Sequence, residues 1–148
     1  MRLDLETMAG SWIVWALFSA IFAALTAIFA KIGVEGVDSD FATLIRTLVV
    51  VCVLGLLLPA TGRLHFTALS PKTMTFLTLS GLATGASWLC YFRALKMGAA
   101  ARVAPIDKLS VVLVAIFGVF FLGERLSAQN WLGVVLIACG ALLVAFRG

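Results

Sequence analysis

The sequence predicts an all-α integral membrane protein of five transmembrane helices, and three observations carry that prediction. The first is composition: of 148 residues, 63% are hydrophobic and only 12% charged, with a mean hydropathy of +1.14. A soluble domain carries about half apolar and about a quarter charged residues. The second is that apolar runs recur five times, each close to the ~20 residues a helix needs to cross a ~30 Å hydrocarbon core. The third is that the connections between them are short, so residues 1–148 read as a single transmembrane domain.

The charge is +4 with a pI near 9.4. The basic residues sit at segment ends without a clustered run, which fits lipid-facing flanks, so no nucleic acid is expected as a partner. Cys52, Cys90 and Cys139 fall inside apolar runs, odd in number and without metal-type spacing, and are expected to be small core residues. The single His65 lies in a loop, so no metal and no cofactor is expected. The N-terminus carries Asp4 and Glu6 ahead of a long apolar run, which argues for a first membrane helix over a signal peptide.

The helices are expected at about 12–31, 41–60, 74–96, 99–123 and 129–146. Trp12 to Ala30 is uncharged and ends at Lys31 and Gly33. Phe41 to Ala60 is interrupted only by Arg46 and ends through Pro59 and Gly62. Met74 to Phe92 closes through Arg93 and Lys96 to Gly98, a candidate C-cap. The fourth run contains Pro105, Asp107 and Lys108, and the fifth is entered through Ser127 as a candidate N-cap.

Five helices put the termini on opposite faces of the membrane. One face then carries Arg2, Arg63, Lys72 and Arg125; the other carries Lys31, Arg93, Lys96, Arg102 and Arg147. Orientation normally follows a Lys/Arg excess, and here there is almost none. Insertion both ways round, with antiparallel pairing of two copies, is the expectation; a single orientation is the alternative. Five helices are also few to enclose a pathway, and transporters commonly place their site between inverted repeats. Gly81 with Gly85, Ala20 with Ala24 and Ala27, and Gly133 with Gly140 supply faces for close packing, either in a homodimer or within one protomer.

Ser80, Thr84, Ser87 and Tyr91 share one face of the third helix. Two readings stay open for its hydroxyls, a polar pathway or bonds to the carbonyl one turn back. Trp88 and Tyr91 add surfaces able to contact a solute, or belong to an interfacial belt. At 1.5 Å per residue, Tyr91 lies ~10 Å from Gly98, Arg46 ~9 Å from Asp40 and Asp107 ~12 Å from Ala99. Lys31, Arg46, Tyr91, Arg93, Asp107 and Lys108 therefore occupy one half of the bilayer. A charge near a helix centre costs ~2.5–3.5 kcal/mol and faces a cavity or a partner. Asp107 pairs with Arg46 or Lys31 if Pro105 kinks a helix that begins near Ala99. If the helix begins at Val103, Asp107 is a first-turn residue complementing the dipole. Glu124 is a possible coupling group or part of a surface turn.

These segments, taken in order, resemble a known family. FAALTAIFAKIG, ATLIRT, SGLATGASWLCYFRALKMG, VAPIDKLSVVL and FLGERLSAQNWLGVVLIACGALL are similar to the EamA domain of the drug/metabolite transporter superfamily, in its short single-repeat form. The resemblance implies a bacterial inner-membrane protein whose longer relatives have ten helices in two inverted halves. It further implies that short members supply the second half by association. Related small multidrug resistance proteins couple transport to protons through a Glu in the first helix, and Trp12 to Ala30 contains no carboxylate.

The expected function is secondary export of a small polar or amphipathic metabolite by alternating access in a homodimer. Lys31, Arg46, Ser87, Trp88, Tyr91, Arg93, Asp107 and Lys108 are the expected binding or gating residues, with Asp107 or Glu124 for coupling. The alternative is a non-transporting subunit of a larger membrane complex. An enzyme is not expected, since the sequence has no paired-carboxylate, Ser/Lys or His constellation at suitable spacing.

Overall fold

The computed structural model describes residues 11–65 and 67–146 and is helical throughout, with no strand among the described residues. Arg2 and Arg147, on which the orientation argument partly rests, and Asp4 and Glu6, which argued against a signal peptide, lie outside the described residues. Six helices follow in order: α1 Trp12–Gly33, α2 Ser39–Ala60, α3 Pro71–Met97, α4 Ala100–Asp107, α5 Ser110–Leu122 and α6 Ala128–Phe146. Each of the first three starts on a side-chain cap that satisfies orphan amides. The Ser11 hydroxyl accepts from the Ile13 amide at 3.3 Å, and Asp38 accepts from the Asp40 and Phe41 amides at 3.0 Å each. The Ser70 hydroxyl accepts from the Thr73 amide at 3.1 Å, with Pro71 at the first helical position. The Ser127 hydroxyl accepts from the Asn130 amide at 3.2 Å, the capping role its position suggested.

Four stretches are long and apolar enough to cross a membrane: α1, α2, the α4–α5 run and α6. The fifth expected span, α3, is the longest at 27 residues, ~40 Å, but falls short of these four in hydropathy. It is the most hydroxyl-rich, and its hydroxyls are partly self-satisfied. Thr75, Thr78 and Thr84 donate to the carbonyls of Pro71, Met74 and Ser80 at 2.9, 2.9 and 2.8 Å. For Thr84 the back-bonded reading therefore holds.

The fourth span is not the single helix expected over 99–123. It breaks at Lys108 and Leu109, where the amides of Leu109, Val111 and Val112 donate to carbonyls three residues back, at 3.0 Å each. Pro105 sits inside α4, removes one ladder bond and crowds the Ala101 carbonyl. The ladder tightens to the 3₁₀ pattern just beyond it. Because α4 begins at Ala100, Asp107 is its last residue rather than a first-turn residue.

The bundle is organised around α3 and α4. α3 packs on α1, α2 and α4, and α4 also packs on α1 and most extensively on α6, which in turn holds α5. The buried core lies at one end, where Ala30 and Val34 meet Phe92 and Leu95, flanked by Ala42, Tyr91, Ala100 and Val103. Gly98 ends α3 in extended conformation, and Val103 approaches it so closely that a Cβ there would lie 3.1 Å from its methyl. Away from this end most apolar side chains face outward, as expected of surfaces that meet lipid or a second copy. The three cysteines are among them: Cys52, Cys90 and Cys139 are exposed, correcting the expectation of core positions. In lipid an outward-facing small apolar side chain carries no penalty.

Leu95 is wholly buried, whereas Leu57 is 52% exposed. Leu95→Ala should cost about 2 kcal/mol, the low end for such truncations, because unfolding within a membrane exposes the side chain to lipid rather than water. Leu57→Ala should be close to neutral. Equilibrium unfolding in mixed micelles checks the difference; equal costs would place the core elsewhere.

Candidate functional site

The packing of α2 on α3 brings Arg46 over two rings spaced one helical turn apart. Its guanidinium carbon lies 3.9 Å from the centroid of Trp88 and 5.5 Å from that of Phe92. Stacking on aromatic faces suits a delocalised cation that water cannot freely solvate. Beside this stack is a cavity of about 190 Å3. Ala23 and Thr26 of α1 and Arg46 of α2 form part of its wall. Ser87, Trp88 and Tyr91 of α3 and the Asp107–Lys108 pair at the helix break complete it.

Six of the residues singled out in the sequence are thus brought together: Arg46, Ser87, Trp88, Tyr91, Asp107 and Lys108. Asp107 occupies the C-terminal end of α4, where a carboxylate meets the negative end of the helix dipole. Helix stability does not explain it there. Its ammonium neighbour Lys108 lies 3.4 Å away, and both side chains are more than a third exposed, so the pair adds little to stability. The charges are available to a third party. A neighbouring cavity of about 320 Å3 opens on the other side of Tyr91 and Asp107, lined also by Cys90 and Ile106.

Lys31 and Arg93 are placed elsewhere. The Lys31 ammonium donates to the carbonyls of Leu95 at 2.7 Å and Gly98 at 3.1 Å. Arg93 forms a forked pair with Asp40, its Nε donating to Oδ1 at 3.0 Å and its Nη2 to Oδ2 at 2.5 Å. Lys96 donates to the Val37 carbonyl at 2.8 Å. These three cations tie the end of α1, the α1–α2 loop and the start of α2 to the end of α3, at the same end as the core. Glu124 is remote from the cavity. Past Gly123, whose φ of 69° is left-handed, the Gly123 and Glu124 amides both reach the Gly118 carbonyl. The Glu124 carboxylate folds back so tightly that a Cβ at Gly118 would lie 2.6 Å from its oxygen. Gly81, Gly85, Gly133 and Gly140 open onto free space, since a Cβ at each would meet no described atom within 4 Å.

Three participants were missed in the sequence. Phe92, four residues from Trp88, was legible as the second ring on that face. Thr26 and Asp40 were not, because neither carries a signal until α1, α2 and α3 are packed.

The chain belongs to the EamA-like transporter family, which matches residues 10–146. A protein from Sinorhizobium sp. described as an uncharacterized transporter in the cobO 3′ region is 65% identical over 139 residues, 93% of this chain and 99% of that protein. The uncharacterized transporter YxxF of Bacillus subtilis is 26% identical over 97% of this chain, which spans only 45% of it. A probable 4-amino-4-deoxy-L-arabinose-phosphoundecaprenol flippase subunit, ArnE, of Hamiltonella defensa is 27% identical over 49% of this chain and 66% of its own length. No solved structure matches. Family, relatives and membrane-spanning helices together define an integral membrane transporter protein in the lipid bilayer, and the bacterial relatives point to the inner membrane.

The Arg46–Trp88 stack should appear as a coupling of about 0.5–2 kcal/mol in a double-mutant cycle of Arg46→Leu with Trp88→Leu, read by unfolding in micelles. Strictly additive effects would show that the contact carries no energy.

Proposed function

We infer that this chain is one half of a secondary transporter, and that two copies form the pathway. The observation that carries the reading is the cavity itself. A guanidinium, an indole and a phenol from two spans converge there with a carboxylate and an ammonium from a helix break; the guanidinium is stacked on rings without a carboxylate partner, and the Asp107–Lys108 pair is partly exposed. The solute is a small polar or amphipathic metabolite, exported by alternating access. Arg46 and Lys108 contact or gate it, Trp88 and Tyr91 form the walls, and Asp107 serves as counter-ion and protonatable group. Lys31, Arg93 and Lys96 hold the surrounding frame. No catalytic role is assigned.

Association of two copies is supported from two directions. The chain spans about half of its longer relative YxxF, whose remaining length a second copy would supply. The glycine faces at Gly81/Gly85 and Gly133/Gly140 are open in the protomer, as faces awaiting a partner helix would be. The near-balance of basic residues on the two faces favours an antiparallel pair. A second reading, a subunit serving a larger complex, draws on the ArnE relative, whose description is that of a flippase subunit. Purification as a homodimer supports the first reading; obligate co-purification with an unlike chain supports the second.

Arg46→Ala and Asp107→Asn should each abolish export with normal membrane expression, measured by a metabolite-release screen of overexpressing cells. Full release by both variants would remove this cavity as the site. Cysteine-accessibility labelling of both termini in intact cells, on a background lacking the three exposed native cysteines, should find each terminus on both faces. One orientation only would exclude antiparallel pairing.

A further inference from the structure

Arg46 stands on the wall between two cavities of different chemistry. One is the polar cavity of about 190 Å3 described above. The other is an open groove of about 500 Å3 between α1 and α2, walled by Phe29, Val37, Phe41 and Ile45. Arg46 and Thr26 line both. The ring contacts of the guanidinium divide in the same way. Trp88, 3.9 Å away, lines the polar cavity, and Phe92, 5.5 Å away, lines the groove.

Volume and charge decide what such a pair can hold. Sites for drug-sized molecules run about 300–1,000 Å3. The polar cavity falls below that range and suits a headgroup. The groove lies within the range but, among its lining side chains, offers Arg46 as its charged group. In the polar cavity two cations, Arg46 and Lys108, face one carboxylate, Asp107, so the uncompensated charge is positive. A neutral or cationic amphipath would leave Arg46 without a partner of opposite sign.

The geometry points to an amphipathic monoanion as the transported class: a single apolar chain lies in the α1–α2 groove, and its acidic head reaches Arg46 across the shared wall. This rests on the transporter reading and narrows its solute to one that is both anionic and chain-bearing. Access for such a molecule is lateral, since the groove is open along α1 and α2 where they face lipid. Gly33 also lines the groove, and a Cβ added there meets nothing within 4 Å. A leucine at that position therefore projects into the chain's space without displacing backbone.

The test uses the full chain in neutral phosphatidylcholine vesicles with a diazirine-tailed alkyl sulfonate, and maps photolabelled peptides by mass spectrometry. Label is expected on the segments holding Phe29 and Phe41 to Ile45. Dodecyl sulfonate should compete at least about tenfold better than butyl sulfonate, because the chain contributes to binding. Dodecyltrimethylammonium should not compete. Arg46→Ala and Gly33→Leu, each compared as monodisperse protein, should lower labelling at least about fivefold, one by removing the charge partner and the other by filling the groove. Labelling that survives both substitutions, or equal competition by the cation, overturns the inference and leaves the groove as a face for bilayer lipid. Equal competition by butyl and dodecyl sulfonate overturns it in favour of a small-anion site. Efflux of each sulfonate from loaded vesicles is read separately. Labelling as expected without efflux of either removes the transporter reading while the binding inference stands. Efflux of butyl sulfonate with an unlabelled groove does the reverse.

Discussion

The last carbonyls of a helix have no intrahelical amide to accept from, and inside or near hydrocarbon no water replaces it. At the end of α3 this constraint is met in part from another helix: the Lys31 ammonium donates to the carbonyls of Leu95 and of the cap residue Gly98, while the Gly98 amide donates to the Ala94 carbonyl. A cation at a helix C-terminus also suits the dipole. The contact fixes α1 against the turn between α3 and α4, so the buried quartet of Ala30, Val34, Phe92 and Leu95 assembles directly beside it. Lys96 to Val37 and Arg93 to Asp40 extend the same tie to the α1–α2 loop and the first turn of α2. Polar contacts do this work because apolar surface alone gives helices in lipid little reason to associate.

With that end fixed, the placement of Arg46 follows. It lies two turns into α2, where an unpartnered charge would cost ~2.5–3.5 kcal/mol. The tied frame presents the face of α3 bearing Trp88 and Phe92, and the guanidinium stacks on both. A carboxylate partner would have neutralised the charge. Two rings reduce the cost of burying it while leaving the charge in place, so a positive group persists at the junction of a polar cavity and an apolar groove.

Much of this was legible before the structure. Composition and run length alone gave the all-helical membrane class, and counting residues from the helix ends put Arg46, Tyr91, Asp107 and Lys108 at a common depth, where they line one cavity. Counting cannot distinguish a cation that faces a cavity from one that caps a backbone. Lys31 and Arg46 fall in the same half of the bilayer on that measure, yet one donates to carbonyls and the other stacks on rings, and those partners are set by how α1 and α2 pack on α3. Similarly, the position of Pro105 signalled a disturbed helix but not where the ladder would change, which depends on hydrogen bonds at Leu109, Val111 and Val112. The cysteines were misplaced because an apolar run in a membrane does not tell its inner face from its outer one.

The break itself explains why Asp107 and Lys108 can share the cavity. In an unbroken helix these neighbours would project about 100° apart, and the carboxylate would sit mid-helix with no terminus nearby. Ending α4 at Asp107 and restarting α5 at Ser110 puts both side chains beside backbone that no longer follows the α-helical ladder. Irregular backbone at membrane depth is tolerated where it lines a cavity rather than lipid, and here the cavity is the one walled by Arg46, Trp88 and Tyr91. The fold thus brings a helix end, with its oriented carbonyls and its two charges, to a guanidinium held on rings. The chemistry at this point comes from interrupting a span, not from adding polar residues along an intact one.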